Sequence, residues 1–258
     1  MLPTIFVSHG SPMTVLQDVP ARRFLQQIGK DLPRPRAIVA VTAHWETRQA
    51  SVGGAEHPEM IYDFGGFDPR LFEMHYPAPG EPALAERISD MFCNAGLASR
   101  VDPNRGFDHG VWVPLTLMYP EADIPVVPVS VQPHYGPAHH LELGRAMASL
   151  RAEDVLVVAS GSFTHDLRRF RGQPLDTPTA PDVLAFSEWF DTALTEGRTQ
   201  DLLAYRTHAP HAVQNHPTEE HLLPLFVAMG AAGPNAHAER LHSSSTYGVL
   251  RMDAYAFN

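Results

Sequence analysis

Arg36–Thr47 reads RAIVAVTAHWET. Ala37 to Ala43 is an unbroken run of small and β-branched apolar residues, preceded by the proline-rich LPRPR. Such a run, with no polar alternation, predicts a strand buried on both faces, the kind found in parallel sheets covered by helices on both sides. In open α/β sheets the functional crevice lies beyond the carboxyl ends of the strands, and His44 stands where this strand ends. Two other apolar runs repeat the arrangement. TIFVS (Thr4 to Ser8) runs into His9, and VLVVAS (Val155 to Ser160) leads through GSFT to His165. Imidazole binds first-row divalent metals well, and a catalytic centre needs ligands that converge while leaving a position open. Three strands that each deliver a histidine at the same end predict a shared metal at that rim.

The remaining periodicity fits the same picture. Helical spacing covers Ala21–Lys30, with Leu25 and Ile28 inward, and Glu81–Ala95, with Leu84, Ile88, Met91 and Phe92 on one side and Gly96 as a C-terminal cap. Further helices are expected from near Gly110, over 138–151, 181–196 and 199–206, and from Pro217 to about 231. PVVPVSV (125–131) reads as a strand. Pro128 cannot donate a ladder hydrogen bond, which predicts an edge or a bulge. SSSTYGVLRMDAYAF alternates as a final strand, and IYDFGGF reads as an ordered loop over the sheet's end. With no repeat, linker or low-complexity segment, the expectation is one α/β domain over 1–258. Its mostly parallel central sheet would be flanked by helices, with a metal site at the C-terminal ends of the strands.

Composition narrows the partners. The net charge is -10, from 19 Lys+Arg against 29 Asp+Glu, with no basic run. That balance argues against nucleic acid or an anionic membrane. No signal-like or membrane-length apolar run occurs, so a soluble, cytoplasmic protein is expected; oligomeric state is not legible. Cys93 is the one cysteine, which excludes an internal disulfide, and its setting in ISDMFCNAG predicts a buried thiol. Histidine, at 15 residues, is in excess, and a metal site is the first reason to consider.

His221, in NHPTEEH, is a fourth candidate ligand. The segment brushes against the HExxH zinc-protease pattern, but His216 and His221 are five apart, about 140° around a helix, so they cannot share a face. His109, in GFDHGVW, lies between glycines that let backbone approach a pocket. It reads either as an acid/base or substrate contact or as a turn histidine, with Asp108 beside it. SGSFTH lacks the GxSxG elbow because Phe163 replaces a glycine, and neither dinucleotide nor P-loop fingerprints occur.

At these residues the chain resembles the class III extradiol ring-cleaving dioxygenases, in the DODA-type, LigB-like branch that includes DOPA 4,5-dioxygenases. The matching motifs are FVSHGSPM (6–13), VTAHW (41–45), YDFGGF (62–67), HYPAPG (75–80), GFDHGVW (106–112), SGSFTH (160–165) and NHPTEEH (215–221). The resemblance implies metal ligands at His9, His44 and His221, with His165 as a fourth ligand or as the acid/base, and His109 on the substrate side. It implies a non-haem Fe(II) enzyme that cleaves a small catechol with O2 to a muconic semialdehyde. Better-known relatives carry a glutamate where this chain has His221, and an all-histidine set also accommodates Zn(II). Trp45, Tyr62, Phe64 and Phe67 are candidates to wall a ring pocket or to pack the core. Arg105 and Arg168 could hold a substrate carboxylate, although both read more simply as solvated surface. Two competing readings use the same residues: a zinc-dependent hydrolase, and a non-enzymatic binding module of the Memo-like kind.

Overall fold

A computed structural model describes all 258 residues. Its strands are β1 (Thr4–Ser8), β2 (Ala37–Glu46), β3 (Ala50–Gly53), β4 (Ser99–Asp102), β5 (Val126–Val131), β6 (Val155–Gly161), β7 (Ala238–His242), β8 (Ser245–Thr246), β9 (Leu250–Arg251) and β10 (Ala254–Phe257). The helices are α1 (Pro20–Asp31), α2 (Pro82–Asn94), α3 (His109–Met118), α4 (Gly136–Ala146), α5 (Pro181–Thr195), α6 (Thr199–Leu203), α7 (Tyr205–His208), α8 (Ala212–Asn215) and α9 (Leu223–Ala232). Eight strands form one sheet in the order β4-β3-β5-β2-β6-β1-β10-β7, and β8 pairs with β9 separately. The centre, β5-β2-β6-β1, is parallel throughout. β3 joins β5, and β10 joins β1 and β7, in antiparallel sense.

The central run behaves as its composition requires. Val39 and Val41 of β2 pack with Val127, Val129, Val157 and Ala159 against α4, α5 and α9. Ile38 and Ala40 point the other way, with Val126, Leu156 and Val158, toward α1 and α3. The two-residue period of a strand splits one apolar run between two cores. Full burial of a Val or Ile contributes ~1.5–3 kcal/mol, so this strand anchors both layers.

Three elements differ from expectation. β5 is not at an edge, since Ala40 pairs with Pro128 on one side and Val52 with Val129 on the other, but its ladder with β2 is irregular, with a register shift between Val41 and Glu46. The Pro128 ring is accommodated against Gly53, where a Cβ would lie 2.5 Å from it. The last long helix starts at Leu223, and residues 217–222 form turns. Cys93 is exposed. The inward stripe of α2 runs through Leu84, Ile88 and Phe92, and Cys93 lies one position, about 100°, farther round the helix.

His140 ties β5 to α4. Its Nδ1–H donates to Gly136 O at 2.7 Å, and its Nε2 accepts from Gln132 N–H at 3.0 Å. Burial pushes its pKa down to about 3, so the folded chain keeps it neutral while the unfolded chain protonates it near pH ~6.5. Stability from this residue is therefore complete above that pH and is lost as pH falls toward 3, by up to ~1.4 kcal/mol per pH unit. His140→Gln should make the stability-versus-pH curve between pH 6 and 4 shallower by about one proton. Urea unfolding across that range checks it, and an unchanged slope would count against a neutral buried His140.

Candidate active site

Strand register delivers the histidines. Thr42 pairs with Ser160 and Ser8 with Gly161, so β2, β6 and β1 end side by side. His9 follows Ser8 directly, His44 lies two residues past Thr42, and the loop after Gly161 leads to His165. His221 comes from the turns before α9. Gly161 admits that segment, because a Cβ there would lie 2.0 Å from His221 O. Ser162 N–H donates to His221 O and His165 N–H to Asn215 O, each at 2.8 Å. The buried His216 ring bonds Phe163 O at 3.0 Å through Nε2. These bonds stitch the His165 loop to the His221 segment.

The ring nitrogens of His9, His44 and His221 converge, with one ligand atom from each inside a 4.8 Å cluster. His44 Nε2 is 3.1 Å from His9 Nε2 and 3.3 Å from His221 Nε2. Every Nδ1 is engaged from behind: His9 by Ser160 Oγ at 2.9 Å, His44 by Asp63 at 3.4 Å, and His221 by Glu220 at 2.8 Å. A carboxylate only accepts, so His44 and His221 must carry their proton on Nδ1. Ser160 gives its own proton to Gly110 O, which obliges His9 Nδ1 to donate as well. Gly110 O is free for this because its helical partner four residues on is Pro114, which has no N–H. Burial holds His9 and His221 well below the ordinary imidazole pKa and brings His44 down to about 3. Three neutral rings thus aim bare Nε2 lone pairs at one another.

That arrangement is repulsive by itself and suits a cation. Metal–nitrogen bonds of ~2.0–2.1 Å would separate two ligand nitrogens by about 2.9 Å at a right angle and about 3.4 Å in a tetrahedron. Both observed spacings fall in this range, and acceptors behind each imidazole are the usual support for metal-ligating histidine.

His165 stands apart from the three. Its ring lies flat on His221, with centroids 3.4 Å apart and planes 12° apart, and its nitrogens cluster with Glu220 and His221, not with His9 and His44. Of its two expected roles, the geometry favours acid/base over ligand, since a ring stacked on a ligand cannot aim its lone pair at the same point. Burial lowers its pKa to about 4. His109 starts α3 and sits against His44, ring centroids 3.8 Å apart. Its backbone N–H and Nδ1 both bond Asp63 Oδ1, at 3.1 and 2.8 Å. Burial works to raise the Asp63 pKa, but these bonds outweigh it and hold the carboxylate below its usual range.

The rings border a cavity of about 360 Å³ whose lining includes Phe64, Phe67 and all five of these histidines. Trp45 does not line it. Adjacent strand residues face opposite ways, so Trp45 turns from His44 and packs under the Arg105 guanidinium, 4.7 Å from its ring centre. Arg105 is no solvated cation either, being bonded to the fully buried Asp108. Asp108 bonds Thr42 at 2.7 Å and leaves the orienting of His109 to Asp63. Tyr62 bonds Met74 O at 2.7 Å and lies outside the lining. Asp63, Glu220 and Ser160 were not singled out as orienting groups from sequence, although each lies inside a quoted motif.

Residues 3–257 match the family model for the catalytic LigB subunit of aromatic ring-opening dioxygenase. The chain is 45% identical to a 4,5-DOPA dioxygenase extradiol of Beta vulgaris, covering 98% of this chain and 96% of that protein. It is 43% identical to one from Escherichia coli K12, covering 89% and 85% respectively. A crystal structure of an uncharacterized Escherichia coli K12 protein superposes over the full length of both chains, with a TM-score of 0.85 and 36% identity. A metal-suited histidine cluster at the rim of a mostly parallel sheet, and similarity of this extent, lead to one assignment: the chain belongs to the LigB family, as a DODA-type extradiol aromatic ring-opening dioxygenase.

Proposed function

We propose that the protein opens the ring of a small catechol beside its two hydroxyls, using O2 and a divalent metal held by His9, His44 and His221. Both oxygen atoms enter the product, a muconic semialdehyde. Ferrous iron is the proposed catalytic metal, and zinc suits the same three donors. The observation that carries this reading is the convergence of three bare Nε2 atoms whose Nδ1 protons are all tied back. When bound, the ion would supply Lewis acidity toward the diol and, as ferrous iron, a path for electrons between diol and O2. The two relatives called 4,5-DOPA dioxygenase extradiol support a DOPA-like or related catechol.

The chain's own groups then divide the work. His165 is a neutral base on the cavity wall at pH 7, so it takes a proton from a catechol hydroxyl and can return it to a ring-opening oxygen. Asp63 fixes the His109 proton on Nδ1, which leaves His109 Nε2 to accept a hydrogen bond from substrate. Phe64 stands edge-on to His109, with centroids 5.7 Å apart, and Phe67 edge-on to Phe64 at 5.6 Å. These rings give the catechol apolar faces to stack against, worth ~0.5–1.5 kcal/mol per aromatic pair.

Anaerobic loading with Fe(II) followed by O2-electrode measurements tests the whole reading. Oxygen uptake should match the appearance of a yellow ring-opened product, and zinc-loaded protein should consume none. An iron-loaded preparation that leaves every vicinal diphenol untouched defeats the proposal, and amide or ester cleavage by the zinc form would favour a hydrolase.

Two sets of variants separate the roles. His165→Ala should keep about one equivalent of metal and lose ring opening by ~10²–10⁴-fold, whereas His44→Ala should lose the metal. Metal analysis beside turnover decides this, and loss of metal from His165→Ala would make that residue a ligand. Ser160→Ala and Asp63→Asn should each weaken zinc binding by ~10–100-fold in chelator competition. Unchanged affinities would mean that the Nδ1 partners do not orient the ligands.

A further inference from the structure

The cavity above the histidines has two polar groups that ring opening does not use. Its lining includes Ser11, from the turn after β1, and Tyr247, from the turn between β8 and β9. Ser11 Oγ accepts from Met13 N–H at 3.2 Å, and Tyr247 Oη accepts from Gln17 Nε2 at 3.3 Å. Gln17 N–H bonds Met13 O at 2.9 Å, so one short segment braces both oxygens. Each hydroxyl is occupied as an acceptor and keeps its own proton to donate.

Tyr247 is also held in a conformation that its side chain disfavours. Its φ is 58°, in the left-handed region, where a bulky residue is an outlier. The 173–175 segment clamps it there: Tyr247 N–H donates to Leu175 O, and the Tyr247 carbonyl accepts from Gln173 Nε2, each at 3.0 Å. Gly248 completes the turn, and a Cβ on it would lie 2.6 Å from Pro178 O. A glycine at 247 would remove the strain. Strain of this kind collects at ligand sites, where a side chain has to be aimed. The phenol ring meets Phe170, which also lines the cavity, edge-on with centroids 4.9 Å apart. Arg171, next in the chain, is exposed, and its Nη1 bonds the carbonyls of Arg168 and Phe170, so no acid neutralises its charge.

We infer that Tyr247 is a specificity-determining residue, which donates its phenolic proton to a carboxylate on the side chain of the catechol, with Ser11 as a second donor. The inference rests on the ring-opening reading above, because the diol end must sit on the histidines for the side chain to reach Tyr247. Two O–H donors suit the two oxygens of a carboxylate, and donation to an ionised acceptor is stronger than to a neutral one. The Arg171 guanidinium adds a favourable field that salt would screen. An alkyl side chain offers neither hydroxyl an acceptor.

The test compares dihydrocaffeate with 4-propylcatechol, which differ by a terminal carboxylate against a methyl, and with dopamine, which ends in an ammonium. Zinc-loaded protein allows equilibrium binding by calorimetry without turnover, and iron-loaded protein gives kcat and KM for ring opening. Tyr247→Phe keeps the ring and its contact with Phe170 and removes only the O–H. It should lower the affinity for dihydrocaffeate relative to 4-propylcatechol by about tenfold, and in turnover the loss should fall on KM and not on kcat. An unchanged ratio, with both rings opened, overturns the inference and leaves the ring-opening reading intact. An equal loss for dopamine also overturns it, since a hydroxyl that serves an ammonium is accepting and not donating. A selective loss of dihydrocaffeate binding, with no ring opened by the unsubstituted protein, keeps the role of Tyr247 and removes the reaction. Binding of none of the three compounds removes both.

Discussion

The site depends on one electrostatic constraint: three neutral imidazoles are held with unshared electron pairs pointing at one another. Nothing in a packed protein favours that arrangement alone. It persists because each ring is locked by the proton on its far side, through Ser160, Asp63 and Glu220. Those three anchors come from β6, from the loop after β3, and from the turns before α9. The chain must close fully before the nitrogens meet, so the site and the fold form together. A bound cation would turn repulsion into ligation, and its binding energy would add to the stability of the folded state.

The parallel sheet makes the convergence possible. Side-by-side termination of β1, β2 and β6 places His9 and His44 at one rim without any long loop having to find the other. The fourth chain segment enters from the side, across a glycine at the end of β6. Pro114 contributes through an absence. By lacking an N–H it leaves Gly110 O unclaimed, Ser160 donates there, and the His9 tautomer follows. A helix residue that touches no ligand thus decides which nitrogen of a distant histidine is bare.

Much of this was legible in the chain before folding. The run 37–43 announced a strand covered on both faces, and the histidines at three strand ends announced the rim. What escaped was whatever depends on direction in space. Trp45 sits beside His44 in sequence and was a candidate either for the pocket wall or for the core; alternation turns it to the opposite face, where it is buried. Asp108 sits beside His109, yet Asp63, 46 residues earlier, holds that ring. Cys93 lies in an apolar-looking stretch and still faces solvent, because one step along a helix is a large rotation. The helix expected from Pro217 begins only at Leu223, since 217–222 must turn to bring His221 down to the rim. Sequence neighbours were a poor guide to partners wherever a strand or a helix set the direction.

The distribution of charge around the floor closes the argument about chemistry. Asp63 and Glu220 stand directly behind imidazoles, and no lysine or arginine faces the cavity. On the proposed reaction, a catechol losing a proton there would become an anion in a region that already has two carboxylates nearby. Such a site would resist its own substrate unless positive charge arrived at the point where the Nε2 atoms meet. A carboxylate ligand would offset part of that charge directly. Three neutral donors offset none, and Asp63 and Glu220 bond the far sides of their rings and do not join the three converging nitrogens, so the attraction for a catecholate would be strongest at the floor. On the proposed reaction, the all-histidine set would therefore favour binding the diol as an anion.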